Sequence, residues 1–223
     1  MTGIPLPIIH KDARIPGRTL ATSRLGIMPM DTSFIRAAAK KVAEEIEKLT
    51  VGVGVAYSFA GYPLYGYTNF PGRLTVELTD PDDVGWTPAT FIDELISMRL
   101  AAEDEGFYGP FNVYLGRGWS AVLDADYSAV KGDNTLRRRA EAIDGISSIQ
   151  TLDYLEALEA IMVEMDPNVV RAVIAMPMTT MQWTETGGLE LYLKIMAIMV
   201  PQIRADFYDG IGLVHGSVTG EGS

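Results

Sequence analysis

The sequence predicts a mixed α+β fold, and three observations carry that prediction. Two stretches, Asp31 to Leu49 and Thr87 to Gly106, place apolar residues at steps of three and four, the period of a helix with one buried face. Several short stretches, among them Phe111 to Leu115, alternate sides in the manner of strands. Near the C-terminus, two apolar runs flank Gly187-Gly188, the signature of a two-residue hairpin turn. The chain has 223 residues and is 48% apolar, enough for one compact domain or two small subdomains with a core.

The elements follow in order. Ile4-Pro5-Leu6-Pro7-Ile8-Ile9 alternates proline with apolar residues, and proline cannot donate to a ladder. This is an edge strand or an extended arm, with two readings: a frayed terminus, or a segment whose partner lies on another subunit. Asp31 or Thr32 is positioned to cap the first long helix. Its stripe is Ile35, Ala38, Val42, Ile46 and Leu49, opposite Arg36, Lys40, Glu44, Glu47 and Lys48, a solvated face of mixed sign. Residues 51–72 mix glycine with tyrosine and phenylalanine, which suits either a contact surface or a core-lining loop. Gly52-Val53-Gly54 with Gly61 lacks the lysine that a phosphate loop requires.

Thr87-Pro88 combines a cap with proline in the first turn, Phe91, Leu95, Met98 and Ala102 form the buried stripe, and Gly106 ends the helix. Short helices are expected at Trp119 to Leu123 and at Thr135 to Ile143. The second carries Arg137-Arg138-Arg139, either a solvated face or a contact to an acidic neighbour or nucleic acid. Ile146 to Leu152 and Ala160 to Met165 read as strands joined by a tight connection, and Asp166-Pro167 as the start of a short helix through Val173. Met178 to Thr186 and Leu189 to Val200 are the hairpin strands, with Pro201 ending the second. Met176, Met178, Met181, Met196 and Met199 fit core or subunit-interface filling better than a cofactor box.

Composition removes whole classes of chemistry. With no cysteine, disulfides, thiolate metal sites and cysteine nucleophiles are excluded. His10 and His215 are the only histidines and sit at opposite ends of the chain, neither at ligand spacing from another. A net charge of −11 is the wrong sign for gripping phosphates, although a wall that repels a polyanionic content lets it slide. The apolar runs are too short to cross a bilayer as a helix, and no secretion signal is visible. Carboxylate groups such as Asp80, Asp82 and Asp83, or Glu103, Asp104 and Glu105, read as a solvated loop and a helix end. No catalytic, cofactor-binding or metal-binding residue is therefore assigned, no cofactor is expected, and the chain is not expected to be an enzyme.

Several stretches, in order, resemble one family. They are Gly3-Ile4-Pro5-Leu6-Pro7-Ile8-Ile9-His10-Lys11-Asp12, Gly66-Tyr67-Thr68-Asn69-Phe70-Pro71-Gly72-Arg73 and Gly106-Phe107-Tyr108-Gly109-Pro110-Phe111. Thr179-Thr180-Met181-Gln182-Trp183-Thr184-Glu185-Thr186-Gly187-Gly188 and Met196-Ala197-Ile198-Met199-Val200-Pro201-Gln202-Ile203-Arg204 complete the set. Together they are similar to the encapsulin-like major capsid proteins of tailed phages, with the Hong Kong 97-type capsid fold. The resemblance implies an extended segment returning from a long loop (residues 1–30) and a peripheral domain with the spine helix (31–110). It further implies an axial domain (111–177) and a long hairpin with the C-terminal segment returning to the peripheral domain (178–223). The chain begins about where that loop returns to the body, so no arm, loop or cross-link residue is carried over. The implied function is a structural major capsid protein that self-assembles, through pentamers and hexamers, into an icosahedral shell around double-stranded DNA. The alternative is an encapsulin compartment around a cargo enzyme. The implied partners are other copies, loosely held double-stranded DNA, and scaffold or decoration proteins, with no membrane. The implied location is the virion, with assembly in the host cytoplasm.

Overall fold

In a computed structural model, residues 5–26, 33–53, 57–59, 61–127, 134–185, 187 and 190–218 are described. Along the chain these form β1 (Ile8–Pro16), α1 (Gly17–Arg24), α2 (Ser33–Val51), β2 (Tyr57–Phe59), β3 (Tyr62–Leu64), β4 (Leu74–Leu78) and α3 (Pro88–Asp104). Then come β5 (Phe111–Leu115), α4 (Trp119–Asp124), α5 (Leu136–Glu141), β6 (Ile146–Thr151), β7 (Ala160–Glu164), β8 (Val170–Glu185), β9 (Glu190–Ile203) and β10 (Leu213–Val218). The chain divides into two compact units, one of Met1–Thr50, Tyr57–Leu64 and Ala172–Val200, the other of Val51–Ala56, Tyr65–Arg171 and Pro201–Ser223.

The first unit is a three-stranded sheet in the order β1-β9-β8, with α2 packed on it. β1 pairs antiparallel with β9 from Ile8 opposite Ile198 to Pro16 opposite Glu190. Of the proline-spaced stretch, Ile8 and Ile9 thus belong to an outer strand with its mate within the chain, residues 5–7 are in no strand, and Ile4 lies outside the described residues. The helical stripe behaves as the period requires: Ala38 and Val42 are buried against Ile195 and Ala197, with Ile35 and Ile46 partly buried beside them. Every second residue of β9 from Leu193 to Ala197 is buried, the period-two pattern of a sheet with one covered face. On the outer face of α2, Lys41 and Glu44 pair at 2.6 Å and Lys48 and Glu45 at 2.8 Å, as one-turn neighbours do. Residues Asp31 and Thr32, the expected caps, lie outside the described residues.

The segment expected to be extended through residue 30 instead contains α1, where the Thr22 hydroxyl donates to the carbonyls of Arg18 and Thr19. The hairpin is longer than the sequence suggests. β8 begins at Val170, and β9 passes through Pro201 to Ile203. The β1 ladder already ends opposite Ile198, so the missing N–H of Pro201 costs no bond on that side. Of the expected turn only Gly187 is described, with φ +68°.

The second unit is a five-stranded mixed sheet in the order β4-β10-β7-β5-β6. β4 runs parallel to β10 and β6 parallel to β5, while β7 is antiparallel to both of its neighbours. One face is covered by α3, α4 and α5 through Phe91, Leu95, Met98, Trp119, Leu123 and Leu136. The opposite face is covered by Val51, Leu155, Val169, Val170 and Ile211. Burial on both faces explains why β7 reads as a continuous apolar run rather than an alternating one: Ala160 and Met162 face one core, Ile161 and Val163 the other. β6 and β7 are not a hairpin, because β5 lies between them. Nor does Asp166-Pro167 open a helix. The Asp166 carboxylate accepts from the Asn168 amide at 2.7 Å, an Asx turn that leads directly into β8.

α3 forms as its sequence requires. Thr87 and Thr90 make a reciprocal capping box ahead of Pro88, and Gly106, at φ +89°, occupies the left-handed position that ends the helix. The two units partition the chain differently from the expected boundaries. β4 and α3, expected with the spine helix, belong to the unit that holds β5 to β7 and β10.

Candidate functional sites

The chemistry-bearing residues singled out in the sequence are dispersed. His10 lies on the exposed side of β1, with Nδ1 3.4 Å from Asp12 two residues along the same face. Asp80 caps its own turn by accepting from the Asp82 amide, and Glu103 pairs with Arg99 one helical turn earlier at 3.2 Å. These are the solvated loop and helix end that the sequence suggested. Arg137 stands 3.7 Å from Asp124, while Arg138 and Arg139 are exposed. Among the described residues, no group of three His, Asp or Glu side chains is placed to hold a metal ion.

One polar cluster was not foreseen. In the second unit a pocket of about 220 Å³ opens beside His215, which is only 5% exposed. The alternation along β10 sends His215 to the same face as Leu213, where it meets the turn after Tyr67 and the loop before β7. Arg73 donates from Nε to His215 Nδ1 at 3.2 Å and from a terminal nitrogen to the Phe70 carbonyl at 3.0 Å. His215 Nε2 lies 3.3 Å from a Glu159 oxygen but off the line of a hydrogen bond. Nearby, Asn69 accepts from the Gly66 amide and donates to the Gly52 carbonyl, and the Thr68 hydroxyl bonds the Val51 carbonyl.

This arrangement ties three loops to β10. With Arg73 bonded to one ring nitrogen and Glu159 beside the other, His215 serves as a latch between β10 and these loops. Burial and the nearby Tyr114 raise the Tyr67 hydroxyl to about 12 in the same unit. The cluster was invisible in the sequence because 142 positions separate Arg73 from His215.

The first unit presents a surface of another kind. Beyond Val170, every residue of β8 is exposed or only partly buried, including Ile174, Met178, Met181 and Trp183. Of the five methionines assigned to core or interface, none is buried, and Met178 and Met181 are exposed. Across the three strands near the hairpin end, Trp183 stacks on Tyr192 at 5.6 Å and the Arg14 guanidinium lies 5.9 Å from the Tyr192 ring centre. Arg14 also pairs with Glu190, which accepts from the Tyr192 hydroxyl at 2.7 Å. The group fastens the end of the sheet while leaving the free side of β8 open.

In fold the chain is similar to the virus-like particle from Pyrococcus furiosus, at 17% identity and a TM-score of 0.74 over 96% of this chain and 78% of that one. It is similar also to the capsid of Myoviridae phage XM1, at 10% identity and a TM-score of 0.73 over 96% and 74% of the two chains. Mycobacterium phage Che8 matches at 12% identity and a TM-score of 0.62, over 99% and 75%. The α+β architecture is thus the Hong Kong 97-type capsid fold. A comparison with curated protein sequences returns no significant match. In sequence, the family model that matches residues 1–216 is described as a family of unknown function, DUF6260, and the chain belongs to that family.

Proposed function

We propose that this chain is a structural shell subunit, many copies of which self-assemble into an icosahedral capsid enclosing double-stranded DNA. The observation that carries the proposal is the extent of the fold likeness: at least 96% of the chain matches a virus-like particle and two phage structures, covering about three quarters of each. The role is geometric and not enzymatic. Apolar and uncharged surface on each copy is buried against neighbours, and weak contacts gain strength by repetition around closed symmetry. The unit carrying α2 and the β8–β9 hairpin takes the part of the peripheral domain, and the unit with the five-stranded sheet that of the axial domain. The net charge of −11 favours loose, non-specific contact with a packaged polyanion. Pentamers and hexamers, a virion location and scaffold or decoration partners belong to the same proposal.

A second reading is a compartment around a cargo enzyme; the likeness in fold to a virus-like particle from Pyrococcus furiosus supports a shell under either reading. Negative-stain microscopy of the purified protein separates shell from non-shell. Closed particles or rings are expected, and a strictly monomeric protein under all assembly conditions would overturn the proposal. Nuclease-protected DNA in particles supports the capsid reading, and protein contents the compartment.

A further inference from the structure

We infer that the free edge of β8 is an interface between copies of this chain, at which a strand of a second copy extends the β1-β9-β8 sheet. The inference rests on the shell reading and names the surface through which it acts.

β8 is the outer strand of its sheet and pairs only with β9 among the described residues. A free strand edge presents a row of unpaired N–H and C=O groups, and folded proteins protect such edges with charged side chains, bulges, prolines or short length. This edge lacks most of those devices. β8 is 16 residues long, and no charged residue occurs from Ala172 to Thr184. Pro177 is the one interruption, which leaves Met178 to Thr184 as an unbroken stretch able to form a ladder. Apolar side chains stand on both sides of the strand, Ile174 and Met178 on one face and Met181 and Trp183 on the other, and all four are exposed.

Charge decides in favour of a second copy as the occupant. A chain of net charge −11 repels its own copies over most approaches. An uncharged, hydrogen-bonding strip is where two such chains can approach without setting like charges against each other. Size agrees with a repeated contact. Thirteen residues, Ala172 to Thr184, at about 3.4 Å each make an edge roughly 44 Å long. With a sheet about 10 Å thick, that edge offers roughly 440 Å² per copy, or about 900 Å² per pair. Such an area falls short of the roughly 1,200 Å² of a stable binary complex. A contact of this size is weak alone and becomes durable when each copy makes several.

Two variants and one label test the inference. Thr179→Lys and Thr180→Lys place a charge on opposite faces of the exposed strand, where an unfolding effect is small. Each is expected to lower the assembled fraction by about tenfold or more, with circular dichroism and melting temperature unchanged. The chain has no cysteine, so Thr180→Cys gives a single thiol. Its labelling by a maleimide is expected to slow about tenfold or more in assembled particles relative to dissociated protein. Normal assembly of both lysine variants, or equal labelling of Thr180→Cys in the two states, overturns the inference while leaving the shell reading in place. A wild-type chain that never assembles removes the shell reading and this inference with it.

Discussion

Replacing Gly116 by alanine tests how tightly the second unit is closed around β5. Gly116 follows β5 and is buried, and an added Cβ would sit 1.8 Å from the Glu156 carbonyl oxygen and 2.6 Å from that of Ala157. Both atoms are backbone, so no side-chain rotation relieves the overlap. The loop around residues 156–159 must move, and it is held by two bonds: Gly116 N–H to the Glu159 carbonyl at 2.9 Å and Gly118 N–H to the Ala157 carbonyl at 2.8 Å. Overpacking of this kind costs about 1–3 kcal/mol, and loss of the two backbone bonds adds about 1 kcal/mol each. The expected destabilisation is therefore about 3–5 kcal/mol. For a unit of this size it lowers the melting temperature by roughly 10–18 °C. Scanning calorimetry with urea unfolding measures the loss, and hydrogen exchange at the amides of Gly116 and Gly118 locates it. A destabilisation below about 1 kcal/mol, with both amides still protected, would refute the reasoning. The same loop carries Glu159 to His215, so displacement is also expected to change the imidazole environment seen by NMR.

Three further outcomes follow from other parts of the second unit. Burial raises the Glu94 carboxyl above its ordinary value despite the amide of Thr79 donating to it at 2.8 Å, so the fold disfavours the ionised form. That penalty is absent below the ordinary glutamate value of about 4.3 and grows as pH rises through the higher folded value. Glu94→Gln should accordingly flatten the fall in stability over that window, measured by urea unfolding at several pH values. Trp119 is fully buried with its ring centre 4.7 Å from that of Phe91, so Trp119→Ala is expected to cost about 3–5 kcal/mol. Trp119→Phe should cost clearly less, because Trp119 Nε1 makes no hydrogen bond to protein that would be lost. Ultraviolet titration should show one tyrosine ionising near 12, and Tyr67→Phe should delete that step.

Which parts of this architecture were legible in the sequence depends on the range over which their cause acts. The period of three and four in α2 and α3 is local, and Ala38, Val42, Phe91, Leu95 and Met98 are buried where it placed them. The cap at Thr87-Pro88 and the stop at Gly106 are likewise local stereochemistry. Strand pairing is not local. Ile146 to Thr151 and Ala160 to Glu164 have the pattern of strands, but nothing in either shows that β5 lies between them. The pairing of β4 with β10, parallel neighbours separated by more than a hundred residues, is illegible in the sequence for the same reason. Asp166-Pro167 carries the signal of a helix start because an Asx turn and a helix cap use the same side-chain bond.

The functional surface divides in the same way. By itself the sequence determined an acidic, cysteine-free α+β chain, because residue types, net charge and local periodicity need no tertiary geometry. Its ordered family-like segments pointed to the capsid fold. Only the tertiary structure decided that His215 is buried against Arg73 and Glu159, since that cluster unites positions 73, 159 and 215. Only it decided that the apolar residues of β8 beyond Val170 lie outside the core. A strand's own pattern states which residues share a face, and the neighbours it receives in the sheet determine whether its edge and faces are covered.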